Sequence, residues 1–395
     1  MTSKDDLIEV IEEWDENISK ENSLPRNLDP LLKASIGLEE VTVLRGARRA
    51  GKTFMLYSMK KGSGGLYINF EDERLSDFEI EDFEKIMNIA QARKDNILYL
   101  DEVQEVPMWE KFAHRAHRKV KIFVTGSNSK LLSSDYSKAL TGRTKTFTAM
   151  PLSFSEFLKF KGIGNSREAI EEYLRIGGFP RIVLSGNVDL AKEYLDRTIY
   201  RDIVGRYDIR NPEALKDIAH YLLSNIGKEF SYHSLKQVSG IRHGTTVRDY
   251  VGYLQKTYLI DLVKYYSASL KTQEVYSKKV YAIDPAYMNL GTRMDDDSGL
   301  RLENIIFLHL KRISDVYYGK IVGDVDFIKC SGTKPQEAIN VTYEASMERT
   351  SNREFKGLQK ASKELKIPAH LISVYSIKKV PKGITSHLAH RYLLE

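Results

Sequence analysis

Gly46-Ala47-Arg48-Arg49-Ala50-Gly51-Lys52-Thr53 has the spacing G-x-x-x-x-G-K-T, and each residue type in it has a chemical reason. The glycines let successive backbone N–H groups close around phosphate oxygens, and a helix starting at the end of the loop adds its positive pole. Lys52 is placed to reach the β- and γ-phosphates of a nucleoside triphosphate, and Thr53 to set its hydroxyl on Mg²⁺. With Phe54 next in line, this stretch is the candidate nucleotide cradle. Asp101 and Glu102 close an apolar run at 96–100. There the first acid can hold Mg²⁺, and the second can orient or deprotonate the attacking water, which suits hydrolysis over transfer to a bulky acceptor. Thr125, Ser127 and Asn128 follow another apolar run; each is a candidate for sensing the γ-phosphate, and each reads equally well as a helix cap. Arg143 is the candidate for stabilising charge on the γ-phosphate, in its own chain or a neighbouring one, with Arg48, Arg49 and Arg181 as competitors.

Such residues need a frame. Val41-Thr42-Val43-Leu44-Arg45 is a β-branched run predicted as a buried strand, and 54–57 continue as a helix, so the loop has the strand-loop-helix setting its chemistry requires. Apolar runs at 65–70, 96–100 and 121–124 predict further strands. Parallel strands with intervening helices make a three-layer α/β domain, the P-loop NTPase fold class.

A chain of 395 residues predicts two to four domains. Hydrophobic content of 42% with 29% charged residues is that of an ordinary soluble protein. No apolar run reaches the length of a membrane span, and the acidic, amphipathic N-terminus is unlike a signal peptide; no membrane partner and a cytoplasmic address are expected. A lone Cys330 excludes a disulfide framework and a cysteine-built metal site. The formal net charge of +6 is concentrated: between Gly205 and Val280 there are twelve Lys/Arg against seven Asp/Glu. A local basic excess of this kind is a hint of polyanion binding.

Taken together, the chain resembles the archaeal and bacterial AAA+-like ATPases, related to the signalling STAND group, that carry a C-terminal domain of the DUF4143 type. The phosphate loop, Leu-Asp-Glu-Val-Gln at 100–104, Thr-Gly-Ser at 125–127 and Leu-Thr-Gly-Arg at 140–143 carry the resemblance. Its more specific parts are Pro-Leu-Ser-Phe-Ser-Glu-Phe at 151–157 and Tyr-Leu-Arg-Ile-Gly-Gly-Phe-Pro at 173–180, and it spans nearly the whole chain. It implies ATP, rather than GTP, with Mg²⁺ as cofactor; a guanine-reading Asn-Lys-x-Asp motif is not seen. Gly178-Phe179-Pro180 also looks like the G-x-P motif in which the proline packs near adenine, so Pro180 joins the nucleotide-binding candidates, although Gly-Gly-x-Pro is also a plain helix breaker.

The expected domains are an ATPase domain at 1–164, a helical lid or linker at 165–211, a winged helix-turn-helix at 212–285 and a restriction-endonuclease-like domain at 286–395. Helical spacing at 214–225, 232–239 and 245–258, then β-like runs at 259–266 and 278–283, carry the winged-helix reading. Lys236, Arg242, His243, Arg248 and Lys271 are its DNA candidates; the competing reading is a protein-protein module. In the last domain Glu303 and Asp326 fit the acids of a nuclease, but Asn340-Val341-Thr342 stands where acid-x-Lys would be, with Glu337 as a possible substitute three residues early. That domain is expected to bind or assemble, not to cleave. The function expected is Mg²⁺-dependent ATP hydrolysis driving a conformational switch or a remodelling activity. Duplex DNA, a protein client and further copies of the chain are the candidate partners. The alternative is a slowly hydrolysing regulatory ATP binder; an ATP-gated nuclease stands third.

Overall fold

The computed structural model describes residues 2–127, 140, 142–291, 297–320, 324–343, 348–377 and 379–395. They fall into two units, Met1–Met150 and Pro151–Glu395.

The first unit runs α1 (Lys4–Lys20), α2 (Asp29–Ala34), β1 (Val41–Gly46), α3 (Lys52–Ser63), β2 (Leu66–Asn69), α4 (Phe83–Arg93), β3 (Ile97–Asp101), α5 (Trp109–Ala116), β4 (Lys121–Ser127) and β5 (Thr144–Ala149). A capping box between Ser3 and Asp6 starts α1, and Leu7, Val10, Ile11 and Ile18 form its buried stripe. The five strands form one parallel sheet in the order β2-β3-β4-β1-β5. β1 to β4 read as largely apolar, buried runs, as a parallel sheet covered on both faces demands, whereas β5 at the sheet's edge is mostly polar and exposed. Val43, Ile68, Leu100 and Val124 belong to a core shared with Val10, Ile86 and Phe112 of the flanking helices. β4 lies between β1 and β3, pairing Leu44 with Thr125 and Gly46 with Ser127 on one side and Leu100 with Val124 on the other. Those pairings carry β4 through Ser127, beyond the end at 124 expected from its apolar run. Because all strands run the same way, the ends of β1, β3 and β4 share one edge of the sheet.

The second unit begins with α6 (Phe154–Lys161), α7 (Arg167–Ile176), α8 (Pro180–Ser185), α9 (Leu190–Arg197) and α10 (Pro212–Ser224). The chain then forms β6 (Glu229–Phe230), α11 (Tyr232–Ser239), α12 (Gly244–Lys256), β7 (Ile260–Val263), α13 (Leu270–Val275) and β8 (Lys278–Ala282). These three strands make an antiparallel sheet in the order β6-β8-β7. Last come α14 (Ser298–Lys311), β9 (Asp315–Gly319), β10 (Val325–Ser331), β11 (Lys334–Thr342), α15 (Glu348–Leu365), β12 (Ala369–Ser373), β13 (Ile384–Leu388) and α16 (Ala389–Tyr392). The final sheet, β13-β12-β11-β10-β9, is antiparallel from β9 to β11 and parallel from β11 to β13.

The division falls at Met150, ahead of the boundary expected at 164, for a visible reason. The Leu152 N–H donates to the Gly178 carbonyl at 2.7 Å, and the Tyr173 hydroxyl donates to the Leu152 carbonyl at 2.6 Å. Arg312 donates to the Pro151 carbonyl at 2.7 Å, and a Ser153–Glu156 capping box starts α6. Pro151-Leu152-Ser153 is thereby knitted into the second unit.

Candidate nucleotide site

The loop leaves β1 at Gly46, whose φ is +151°; a Cβ there would lie 2.0 Å from the Ala149 carbonyl oxygen of β5, so only glycine fits. It ends at Gly51, φ +91°, the N-cap of α3. Glycine offers no side chain to cap the helix, and its first turn holds no acid, so the N-terminal amides are left to an external anion. Lys52 is 7% exposed, and its ammonium reaches the carbonyls of Gly46 at 3.3 Å and Ala47 at 3.2 Å. Among the described residues no carboxylate is paired with it. A buried cation satisfied only by carbonyls at the long end of hydrogen bonding is a seat for an anion.

Asp101 ends β3 fully buried. It accepts from the Tyr67 hydroxyl at 2.8 Å and from the Thr125 hydroxyl. Burial, then the charge of the neighbouring Glu102, pushes its carboxyl above the usual range, and the hydroxyls of Thr125, Thr53 and Tyr67 pull the other way. Glu102 takes a left-handed backbone, φ +50°; its N–H donates to the Thr125 hydroxyl at 3.1 Å, and the Gln104 amide holds its carboxylate. Thr53 from the loop comes close enough to Asp101 of β3, across the intervening β4, to act on its carboxyl. An oxygen pair of this kind suits Mg²⁺, which takes few protein ligands and completes its shell with water and phosphate.

Other candidates land elsewhere. Thr125 is fully buried within β4, and its hydroxyl is engaged by both acids, so it braces them instead of facing phosphate. Ser127 pairs with Gly46 at the loop edge, and Asn128 lies outside the described residues. Arg143 needs correction as a catalytic group of its own chain. Its carbonyl accepts from the Val41 N–H at 3.0 Å, at the start of β1. The loop leaves the other end of that strand, about 17 Å away at the rise of a β-strand. Arg49 is exposed with φ +65°, Arg48 is half-buried, and Phe54 is exposed with its ring 5.5 Å from that of Tyr57. Arg181 and Pro180 belong to α8, where Pro180 takes the first helical position. The Gly-Gly ahead of it has a local cause: a Cβ on Gly177 would lie 1.9 Å from the Asp284 carboxylate, which also accepts the Gly178 N–H at 2.7 Å.

Sequence reasoning missed Tyr67, Gln104 and Arg26. Arg26 is 8% exposed, and its guanidinium donates to the carbonyls of Ala50, in the loop, and Met150, each at 2.8 Å. Gln104 was within the quoted motif and readable as a partner for Glu102. Nothing local announces Arg26 or Tyr67.

In the second unit Lys236, Arg242, His243, Arg248 and Lys271 are all exposed. Arg242 and His243 lead into α12, His243 taking the N-cap position, and Arg248 lies on its first half with its guanidinium 5.3 Å from the Tyr232 ring. Lys236 is on α11 and Lys271 on α13, between β7 and β8. Glu303 and Asp326 come together, but Glu337 is no substitute ligand, because it pairs with Lys329 at 2.8 Å. Burial, then Asp326, pushes Glu303 up to about 7 against the pull of Lys279.

No helix among the described residues is long and apolar enough to cross a membrane. Residues 38–158 match the family described as AAA domain. Where a DUF4143-type domain was expected, residues 167–298 match another domain of unknown function, DUF8612. An uncharacterized protein of Methanocaldococcus jannaschii, MJ1544, is 34% identical over 358 residues, covering 83% of this chain and 80% of its own. An uncharacterized protein of Haemophilus influenzae is 27% identical over 318 residues, covering 73% and 79%. Among solved structures, a Walker-type ATPase of Pyrococcus abyssi aligns with a TM-score of 0.45 at 15% identity, over 68% of this chain and 95% of that one. With its phosphate loop, buried aspartate and neighbouring glutamate on one edge of a parallel sheet, this chain is a P-loop ATPase that carries an AAA domain at residues 38–158 and belongs to the same family as the Methanocaldococcus protein.

Proposed function

We propose that the protein hydrolyses ATP in a Mg²⁺-dependent reaction and uses the cycle as a conformational switch or to remodel a partner. The observation that supports this best is the chain of hydrogen bonds Asp101–Thr125–Glu102, with Thr53 of the phosphate loop close enough to act on the Asp101 carboxyl. Lys52 and the amides opening α3 hold the phosphates, and Thr53 with Asp101 holds the metal. Mg²⁺, when bound, neutralises phosphate charge. Glu102, kept in place by Gln104 and by its own backbone bond to Thr125, orients the water and takes its proton. Steady-state turnover with Glu102→Gln and Lys52→Ala tests the assignment. Glu102→Gln is expected to keep ATP binding and lose at least about 100-fold in turnover, the scale of a general base; Lys52→Ala is expected to lose binding. Unchanged turnover in Glu102→Gln would reassign the base.

A second reading concerns a partner. We infer that residues 212–285 form a winged helix that docks on duplex DNA, with Arg242, His243 and Arg248 at the groove and Lys236 and Lys271 on phosphates. Its support is the helix and strand order of that segment and the exposure of all five side chains. If five cationic contacts form, affinity should fall by about two to three powers of ten between 50 and 200 mM salt. Affinity indifferent to salt would instead point to a protein client.

A further inference from the structure

Three side chains from three elements meet inside the second unit. The ammonium of Lys279, on β8, lies 3.1 Å from a carboxylate oxygen of Glu303, on α14, and 3.5 Å from one of Asp326, on β10. All three are largely withdrawn from water, with side-chain exposures of 15%, 10% and 22%. Glu303 and Asp326 are the two acids that a nuclease of this layout would spend on a divalent metal, and the order α14-β9-β10-β11-α15-β12 is the layout in question.

With the ammonium in place, most oxygens around it are already engaged. The Glu303 oxygen that meets Lys279 also accepts from the buried Tyr281 hydroxyl at 2.6 Å. The second oxygen of Asp326 accepts from the Val341 N–H at 2.9 Å. Asn340, at the position of the missing acid, is fully buried with its amide fully engaged: its oxygen accepts the Asp326 N–H at 2.9 Å, and its nitrogen donates to the Asp324 carbonyl at 3.3 Å and to the Glu354 carboxylate. Among the described residues no group of three or more His, Cys, Asp or Glu side chains is placed to hold a metal. A hard divalent cation needs about six oxygens, whereas an ammonium needs only acceptors for its three protons.

We propose that the Lys279 ammonium is the resident cation of this position, closing it to divalent metals and turning a nuclease-like metal site into a charged pin between the β6-β8-β7 sheet and the C-terminal α/β layer. The pin has company on the same strand: the Asn304 side chain brackets Ala282, accepting its N–H at 2.8 Å and donating to its carbonyl at 3.0 Å. β8 is thus seated on α14 by the Lys279 side chain and, three residues on, by the Ala282 backbone, and a metal could enter only by expelling the lysine that helps hold the strand down.

The test is Mn²⁺ binding to the full chain without nucleotide, read from the electron paramagnetic resonance signal of free Mn²⁺. Wild type and Glu303→Gln are expected to bind the same amount, because Glu303 belongs to no metal site. Lys279→Ala is expected to bind one further ion per chain, and the double variant Lys279→Ala/Glu303→Gln to lose it. Wild-type Mn²⁺ binding that falls in Glu303→Gln would overturn the proposal, as would a folded Lys279→Ala that gains no site. Should Lys279→Ala fail to fold, the wild-type and Glu303→Gln comparison still decides: a difference between them overturns the resident lysine, and equality supports it.

Discussion

At the scale of single residues, the proposed site divides into groups placed to face a nucleotide and groups that hold those groups still. Lys52, Thr53, Asp101 and Glu102 were legible because their chemistry is written in local spacing. Tyr67 and Arg26 were not, because their partners lie 34, 24 and 124 residues away in the chain. Such pairings appear only once the register is known: β2 pairs Asn69 with Asp101, which brings Tyr67 beside the end of β3. Tyr67→Phe keeps the ring, packed 5.2 Å from Tyr57 and 5.6 Å from Trp14, and removes one donor from a fully buried carboxylate. The expected cost is about 1–3 kcal/mol of stability, the price of an unmet buried acceptor, and thermal unfolding of the nucleotide-free chain measures it. A melting temperature equal to wild type would mean that Thr125 suffices.

Elements explain what single residues leave open. Apolar runs at 65–70, 96–100 and 121–124 announced strands, but strand order decides their use. Only the insertion of β4 between β1 and β3 puts Thr125 under both acids. The same register removes Arg143 from its own chain's site, a result invisible in a motif whose residues are merely close in sequence. The Pro-Leu-Ser-Phe and Gly-Gly-x-Pro segments likewise turn out to have local structural work, since Leu152, Gly178 and Asp284 bind one another. Gly46 is where strand geometry and chemistry coincide. Gly46→Ala must push the Ala149 carbonyl away and strain φ at the mouth of the loop, for an expected loss of about 2–4 kcal/mol together with ATP binding. A variant as stable as wild type that still binds ATP would show that β5 can yield at its end.

Across the whole molecule, the AAA-type unit was readable because its motifs and its hydrophobic runs agree in β1 to β4; β5, Thr-Lys-Thr-Phe-Thr-Ala, has no apolar run to announce it. The second unit was less so: the helices and strands of 212–285 were largely foreseeable from periodicity, but α13, α15, β12 and β13 were not, and a lysine facing two acids has no signature in spacing. The first unit ends on Met150, and that residue is one of two carbonyls grasped by Arg26; the other is Ala50, in the loop that receives the phosphates. A guanidinium with both hands occupied acts as a short tether. Any displacement of the loop when phosphate arrives or departs is felt, through two hydrogen bonds, at the peptide where the chain passes out of the ATPase unit. Amide exchange at 150–153 should then differ between ATP-bound and nucleotide-free protein, and Arg26→Ala should abolish that difference; Arg26→Lys should not restore it, since one ammonium on a single stem lacks the fork that spans two carbonyls. The nucleotide would in this way set the tension on the molecule's own leash.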